Sequence, residues 1–351
     1  MTTALCQALK LRYPIIQAPM AGVSTPELAA AVTEAGALGS ISVGASTPGQ
    51  AEKMILATQE LTDGAINVNL FCHASPLRDL VLEQQWIAKF HSLFRHYDAP
   101  VPSQLSEVYS TFHHNPPMLE VLLKTRPTAV SFHFGLPEKP VIEQLKALGI
   151  VTFASATNLN EAAEIEACGI DFIIAQGQEA GGHRGMFYPD REDSMRSTFT
   201  LVQAIKQVSS LPVIAAGGIM DGAGIAAMQR IGAAGAQLGT AFILCPESAA
   251  SPAYRAALKS EQARHTVFTS AISGRPARSL NNAFCKVTQD IPSESIPDYP
   301  LTYALGKALA SASAAKGESG FAAQWAGQGA SLARELPAGQ LVALLAAELT
   351  A

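Results

Sequence analysis

A glycine-rich loop that contains a histidine holds the most reactive group of this sequence. Residues 175–185 read AQGQEAGGHRG, in which four glycines fall within nine positions. Glycines let a backbone approach a flat ligand closely, because no Cβ stands in the way. The imidazole of His183 titrates near neutral pH and can therefore move a proton. We predict that Gln176, Gly181 and Gly182 contact a ligand and that His183 is catalytic; a flexible loop with a solvated histidine is the alternative.

Two further segments are suited to bind a phosphate. The first, AAGGI at 215–219, and the second, QLGT at 237–240, each follow an apolar run. We predict these runs as the seventh and eighth strands of a barrel, after which the loops commonly form a phosphate site from backbone amides. The predicted contacts are Gly217, Gly218, Gln237, Leu238, Gly239 and Thr240. If these glycines only make tight turns, no ligand is implied.

Polar groups also end three other predicted strands. The stretches are QAPMAG (17–22), NVNLF (67–71) and SFHFG (131–135). The amides of Asn69 and Gln176 can pair with the carbonyl and ring-nitrogen edge of an isoalloxazine. His133 can serve as a second acid/base or as an oxyanion donor, although a core histidine with a satisfied ring is the alternative. The remaining predicted cofactor contacts are Ala18, Pro19 and Met20.

A tyrosine–lysine set late in the chain is suited to an anionic substrate. Tyr299, Tyr303 and Lys307 are spaced by four residues. That spacing puts Tyr303 and Lys307 on one face of a helix, whereas Tyr299 precedes Pro300 and lies at the helix start. Two phenols and an ammonium group facing a cavity would attract a negative charge, and Tyr109 is a further candidate. An ordinary amphipathic helix face explains the same spacing without a ligand.

One motif points to a dinucleotide but lacks its partner residue. Residues 222–227, GAGIAA, match G-x-G-x-x-A after a predicted strand. A dinucleotide site also needs an acidic residue about 20 positions on, at the end of the next strand. That region reads AFIL at 241–244, without an acid. We therefore predict no dinucleotide site there, and the sequence contains no Walker loop, G-x-S-x-G turn or H-E-x-x-H motif.

The elements that must hold these residues alternate along the chain. Short apolar runs, each followed by an amphipathic stretch, predict strands at 15–19, 38–43, 66–71, 129–134, 151–155, 172–175, 213–216 and 236–238. Most are continuous apolar runs, which are typical of parallel strands buried on both faces. Eight strands alternating with helices favour an α/β fold of the (β/α)8 TIM barrel type. An open doubly wound sheet is the structural alternative.

Three helix starts are marked by capping residues. Thr25 precedes Pro26 at a first turn, Asn158 is followed by Glu161 in the position of a capping-box acid, and Asp221 precedes a third helix. Side chains of these types satisfy the free N–H groups of a first turn. We predict helices from each of them.

Two long excursions interrupt the alternation. Residues 74–127 contain a predicted helix over 77–97, and residues 245–324 contain one from about 300; a closing helix is predicted over 338–349. Both excursions leave the carboxyl ends of strands, where a barrel keeps its active site. We therefore predict that they form a smaller, mainly helical lid over the barrel mouth.

Composition excludes several classes of function. The 351-residue chain is 48% hydrophobic and 15% charged, with a net charge of −5 and no Lys/Arg block, which argues against a nucleic-acid partner. Five scattered cysteines without a C-x-x-C pair argue against a disulfide framework and a structural metal site. The chain shows no signal-peptide pattern, and no apolar run approaches the ~18 residues of a membrane span. We expect a cytoplasmic protein without a metal or a membrane partner.

The stretches described above resemble the nitronate monooxygenase family, formerly called 2-nitropropane dioxygenases, and specifically its class I. They are QAPMAGVSTPELAAAVTEAGALGS (17–40), NVNLFCH (67–73), SFHFGLP (131–137) and AQGQEAGGHRG (175–185). With the loops after strands seven and eight, the resemblance covers residues 15–240, and the tyrosine–lysine set also resembles the family's C-terminal pattern. The glycine-rich loops alone are shared with other FMN barrels, whereas the four stretches together indicate the class.

The resemblance implies a cofactor, a substrate and a reaction. Noncovalent FMN would lie across the barrel mouth with its phosphate near Gly218, Gly239 and Thr240. A small anionic nitronate, such as propionate 3-nitronate or an alkyl nitronate, would be oxidised with O2 to a carbonyl compound and nitrite, which detoxifies it. The substrate charges would lie near Tyr109, Tyr299, Tyr303 and Lys307. His183 would act by positioning, electrostatics or proton transfer, and as a base only for neutral nitroalkanes.

We expect two domains, a barrel and a lid built from the two excursions. Residues 1–73, 128–244 and 325–351 would form the FMN-binding barrel, and 74–127 with 245–324 the lid or substrate domain. The sequence leaves open the physiological substrate and whether the protein is a monomer or a homodimer.

Two other functions compete with nitronate oxidation. The first is an FMN-dependent NAD(P)H reductase of quinones or enoyl thioesters on the same barrel, which the FMN loops fit equally well. The second is a flavin- or ligand-binding protein without a reaction. Reduction of the flavin by NADH without oxygen identifies the first, and a yellow but inert protein would favour the second.

Overall fold

The computed structural model describes residues 3–350, and its centre is a barrel of eight parallel strands. These strands are β1 Ile15–Gln17, β2 Gly39–Ser42, β3 Ile66–Phe71, β4 Ala129–His133, β5 Val151–Ala156, β6 Phe172–Gln176, β8 Val213–Ala216 and β9 Gly235–Leu238. They follow the order β1-β9-β8-β6-β5-β4-β3-β2. A parallel bridge between Ile16 and Leu38 joins the two ends and closes the barrel. The predicted TIM barrel is confirmed.

The predicted strands agree with the observed ones to within two residues at each end. The largest difference is at β1, which ends at Gln17 rather than at residue 19. Ala18 still donates to Leu238 O at 2.8 Å, but Pro19 has no N–H with which to continue the ladder. The chain therefore turns toward the barrel mouth at Pro19 and Met20.

Helices surround the barrel and fill the excursions. They are α1 Ala4–Leu9, α2 Pro26–Glu34, α3 Pro48–Leu61, α4 Leu80–Lys89, α5 His91–His96, α6 Pro116–Thr125, α7 Lys139–Ala147, α8 Leu159–Cys168, α9 Thr198–Val208, α10 Gly222–Arg230, α11 Pro252–Leu258, α12 Ala283–Thr288, α13 Leu301–Ala315 and α14 Ala338–Thr350. Thr25 accepts a hydrogen bond from Leu28 N at 2.9 Å, and Asp221 accepts one from Gly224 N at 2.7 Å. These two predicted caps are confirmed.

Two helix predictions need correction. The helix expected over 77–97 is two helices, α4 and α5, because Asp79 caps the first at Leu80 and the chain leaves helical geometry at Phe90, a buried residue with φ −103° and ψ 0°. Asn158 does cap α8, but Glu161 does not complete a capping box. Its carboxylate accepts instead from Thr157 N at 2.6 Å and from Phe187 N at 3.0 Å. Glu161 therefore ties the helix start to the segment after the glycine-rich loop.

A second sheet and a second apolar core lie outside the barrel. β7 Gly182–His183, β10 Thr266–Thr269 and β11 Ala277–Leu280 form an antiparallel sheet in the order β10-β11-β7. A core that includes Trp86, Phe94, Phe284 and Leu305 joins the two excursions. Helix α6 instead contributes to the barrel core and packs between α3 and α7.

Two further features are the state of the cysteines and the length of the apolar helices. All five cysteines are free thiols. Within residues 3–350, no helix is both long and apolar enough to cross a membrane.

Candidate active site

One cavity of about 900 Å³ opens at the carboxyl ends of the barrel strands. Every candidate site residue predicted from the sequence lines it, namely Ala18, Pro19, Met20, Asn69, Tyr109, His133, Gln176, Gly181, Gly182, His183, Gly217, Gly218, Gln237, Leu238, Gly239, Thr240, Tyr299, Tyr303 and Lys307. The fold therefore brings these residues together from both excursions and from six strand ends. Their individual roles stay predictions.

The glycine-rich loop is held by two side chains of its own segment. Gln176 Nε2 donates to His183 O at 2.8 Å, and Gln176 Oε1 accepts from Gly185 N at 2.7 Å. Buried Arg184 donates to Gln176 O at 2.8 Å and pairs with Asp193 at 2.7 Å. The amide of Gln176 is thus largely committed to shaping the loop, which leaves one N–H and one lone pair for a ligand.

One end of the cavity presents backbone amides. Within the described chain, the N–H groups of Gly218, Gly239 and Thr240 donate to no other protein group. Gly218 has φ +72°, a conformation that favours glycine. At Gly239 an added Cβ would lie 3.5 Å from Ala18 Cβ and 3.7 Å from Met20 Sδ, two residues of the cavity wall. Such converging amides are suited to a phosphate.

A polar strip crosses the floor of the cavity. Asn69 Nδ2 donates to Ser131 Oγ at 3.0 Å, and Asn69 Oδ1 accepts from Ser42 Oγ at 3.3 Å. Gln237 Oε1 is buried without a hydrogen-bond partner in residues 3–350. Buried polar atoms are rarely left unpaired. Gln237 Oε1 is therefore the atom on this floor that is available to accept a hydrogen bond from a ligand. Asn69, like Gln176, is partly committed to the protein.

His133 lies under the glycine-rich loop. Its Nδ1 is 3.0 Å from Ser155 Oγ. A Cβ on Gly185 would come within 2.8 Å of the imidazole, so the loop can close over this ring only with glycine there. The pKa of His133 is lowered to about 4, chiefly by burial; a backbone hydrogen bond with His183 opposes this shift, and the charges of Arg275 and Arg184 add to it. His133 is therefore neutral at neutral pH.

His183 stands within an aromatic wall. Its ring centroid is 5.0 Å from Trp325, 5.5 Å from Tyr299 and 6.2 Å from Tyr303. Burial lowers the pKa of His183 to about 3, with smaller contributions from His133, Arg275 and His73. A neutral imidazole can accept a proton or a hydrogen bond at one nitrogen and donate at the other.

The tyrosine–lysine set lies together on the lid side of the cavity. Lys307 Nζ is 4.5 Å from the ring centroid of Tyr109, and that ring is 5.3 Å from Tyr303. Tyr303 Oη accepts a hydrogen bond from Trp325 Nε1 at 3.1 Å. Burial raises the pKa of both Tyr299 and Tyr303, so their hydroxyl groups stay protonated and can donate. This side of the cavity therefore offers donors and a cation to an anion.

Several residues of the site were not predicted. Trp325 lines the cavity, Ser273 binds His183 Nε2 at 3.0 Å, and Gly327 N donates to Thr240 Oγ1 at 3.0 Å. Arg275, which is 4% exposed, lies 4.6 Å from the centroid of Phe134. No repeat or spacing marks these residues, although Trp325 is one of only two tryptophans in the sequence.

The polar groups that line the cavity are mainly amides, hydroxyl groups and imidazoles. Across residues 3–350, no group of three His, Cys, Asp or Glu side chains is placed to hold a metal ion. Converging amides at one end, a polar floor and an aromatic, donor-rich wall fit a flat, phosphate-bearing ligand beside a small anion.

The chain is similar to proteins of one family over nearly its whole length. A family model described as nitronate monooxygenase matches residues 2–348. A protein named nitronate monooxygenase from Paraburkholderia phytofirmans is 54% identical over 346 residues, which cover 99% of this chain and 94% of that one.

Solved structures show the same likeness. A nitroalkane oxidase from Streptomyces ansochromogenes has a TM-score of 0.89 at 38% identity, with 99% of this chain and 98% of that chain covered. FabK from Thermotoga maritima has a TM-score of 0.76 at 29% identity, with 100% and 96% covered.

Proposed function

The chain belongs to the nitronate monooxygenase family and is an oxidoreductase, and from that premise we propose that it oxidises small anionic nitronates with FMN and O2. The products would be a carbonyl compound and nitrite. The observation that carries this proposal is the set of Tyr299, Tyr303 and Lys307 on the lid side of the cavity, because it offers hydrogen-bond donors and a cation to an anion.

The described residues fit FMN. The amides of Gly218, Gly239 and Thr240, which have no acceptor within residues 3–350, would hold the phosphate. The unpaired Gln237 Oε1 would accept from an N–H of the flavin ring. When bound, FMN supplies an acceptor for the electrons of the nitronate and a donor to O2.

The residues of the chain bind and orient the substrate. Tyr303 accepts from Trp325, so its own O–H is free and polarised to donate to a nitronate oxygen. The ammonium group of Lys307 lies at the exposed rim, where it would meet a second negative charge such as the carboxylate of propionate 3-nitronate. A nitronate is already deprotonated, so the neutral His183 is needed as a base only for neutral nitroalkanes; for nitronates it would position the substrate.

We also propose which segments form the lid and what role the enzyme has in the cell. The second core joins residues 74–115 to 245–324, and we propose these segments as the lid, with α6 assigned to the barrel wall. Detoxification of natural nitro compounds in the cytoplasm, by a monomer or a homodimer, completes the proposed role.

Product stoichiometry tests this function. Purified, FMN-loaded protein would be mixed with propionate 3-nitronate, and oxygen consumption and nitrite release would be measured together. We expect both to proceed in a fixed ratio. The FMN-dependent NAD(P)H reductase is the second candidate, because the loops at the barrel mouth fit it equally well. Oxidation of NADH by a quinone without nitronate turnover would replace the proposed function by that one.

A further inference from the structure

A single buried serine contacts the imidazole that faces the cavity. Ser273 is fully buried in the turn of residues 270–276 between β10 and β11. Its Oγ lies 3.0 Å from His183 Nε2. The same oxygen accepts from Arg275 N at 3.3 Å and donates to Arg275 O at 3.2 Å. The hydroxyl group therefore has three neighbours and only one proton to share among them.

The position of that proton follows from counting donors and acceptors. A hydroxyl group donates once and accepts twice. Within the described chain, Arg275 O accepts from no donor other than Ser273, and a buried carbonyl without a donor is costly. If Ser273 donates to Arg275 O, its two lone pairs accept from Arg275 N–H and from His183 Nε2–H, and every group is satisfied. The opposite assignment leaves the carbonyl unpaired.

The other ring nitrogen of His183 faces a different environment. Nδ1 has no hydrogen-bond partner in residues 3–350, and it is not among the buried unpaired atoms of that range. Because His183 lines the cavity, this nitrogen is open to it. Arg275 lies on the same turn, is buried and forms no ion pair within residues 3–350. Its charge opposes a second proton on the ring of His183.

We propose that Ser273 is a positioning residue that fixes the proton of His183 on Nε2 and so presents an unprotonated Nδ1 to the substrate cavity. The inference deepens the proposed function, since it rests on His183 acting on a substrate in that cavity. Activity would then require a defined tautomer of His183 in addition to the tyrosine side chains. The orientation and the tautomer of the imidazole would both depend on one hydroxyl group of a neighbouring turn.

Nitrogen NMR of the FMN-loaded protein tests the tautomer directly. Protein labelled with 15N-histidine would be recorded at neutral pH, and the signals of His183 assigned by their loss in His183→Asn. We expect Nε2 to resonate as a protonated nitrogen and Nδ1 as an unprotonated one. A protonated Nδ1 in the wild-type protein would overturn the proposal, whatever the variants do.

Variants separate this role from a general structural one. In Ser273→Ala we expect a mixture of tautomers and about a tenfold fall in kcat/KM with unchanged FMN content, and in Ser273→Thr a retained tautomer. Ser313→Ala is the matched control, because Ser313 is equally buried and its hydroxyl group binds, among the described residues, only the carbonyl of Ala310. An unchanged tautomer in Ser273→Ala would reject the proposal. Absence of nitronate turnover in a protein with Nε2–H would instead reject the function and leave the positioning intact.

Discussion

The indole nitrogen of Trp325 donates a 3.1 Å hydrogen bond to the hydroxyl group of Tyr303. The indole ring also lies 5.0 Å from the imidazole of His183. Trp325, which lies outside every predicted motif, thus contacts both Tyr303 and His183, the two side chains that we expect to meet a substrate.

We expect Trp325→Phe to lower kcat/KM for nitronates by about three- to tenfold, the effect of one lost hydrogen bond of about 1 kcal/mol. The hydroxyl group of Tyr303 loses its donor and becomes a weaker donor itself, so KM should rise more than kcat falls. Steady-state kinetics of oxygen uptake measure both constants. In a Tyr303→Phe background, Trp325→Phe should no longer change kcat/KM. If the effects of the two substitutions on kcat/KM were fully additive, the proposed coupling through the Trp325–Tyr303 hydrogen bond would be wrong.

Lys307→Met should discriminate between substrates by charge. The ammonium group is 4.5 Å from the ring of Tyr109 and exposed at the rim. We expect KM for propionate 3-nitronate to rise by about five- to tenfold, corresponding to about 1 kcal/mol for a partly exposed charge pair, and KM for an alkyl nitronate to change little. Lys286→Met, another exposed lysine, is the control. Equal effects on both substrates would remove the carboxylate-binding role.

The cofactor cradle can be tested at Gly239. Its φ of −104° is open to any residue, and an added Cβ would make only ordinary contacts, with Ala18 and Met20. We therefore expect Gly239→Ala to fold with a free energy of unfolding within about 0.5 kcal/mol of wild type but to lose FMN about tenfold more readily in equilibrium dialysis. Gly49→Ala, a helical position with nothing within 4 Å of the added Cβ, is the control. Undiminished FMN affinity would place the phosphate elsewhere.

Acid should destabilise this protein through its buried histidines. Burial lowers the pKa of His133 and of His73 to about 4 and that of His183 to about 3, whereas all three titrate near 6.5 when unfolded. Between these values the unfolded chain binds more protons, so the free energy of unfolding falls as the pH drops from about 6.5 toward 4.

We expect His133→Asn to make that fall shallower, by about 1.4 kcal/mol per pH unit, because one fewer proton is taken up on unfolding. Urea unfolding at a series of pH values measures the slope, with His91→Asn as an exposed control. The same slope in His133→Asn and in wild type would show that the ring of His133 is protonated in the folded state.

The barrel could be predicted from the sequence because its strands are continuous apolar runs. β3 and β8 were located to the residue, and the caps at Thr25 and Asp221 marked helices directly. The break at Phe90 could not be seen, since it depends on burial of that ring in the second core rather than on a local breaker such as glycine or proline.

The site was predictable where it lies at strand ends and less so where it lies in loops. His183 and Thr240 follow strands, so their place at the barrel mouth follows from the topology. Ser273 reaches the site from an irregular segment of the second excursion and Trp325 from the residue directly after it, and their contacts with His183 span 90 and more residues of sequence. No short-range pattern encodes such contacts.

Anaerobic reduction of the bound flavin distinguishes nitronate oxidation from NADH-dependent reduction. FMN-loaded protein would be mixed without oxygen, first with propionate 3-nitronate and separately with NADH, and the flavin absorbance followed. We predict that the nitronate bleaches the flavin and that NADH leaves it oxidised, with nitrite appearing once oxygen is admitted to the first mixture. Rapid bleaching by NADH and none by the nitronate would contradict the account and identify the protein as a reductase on the same barrel.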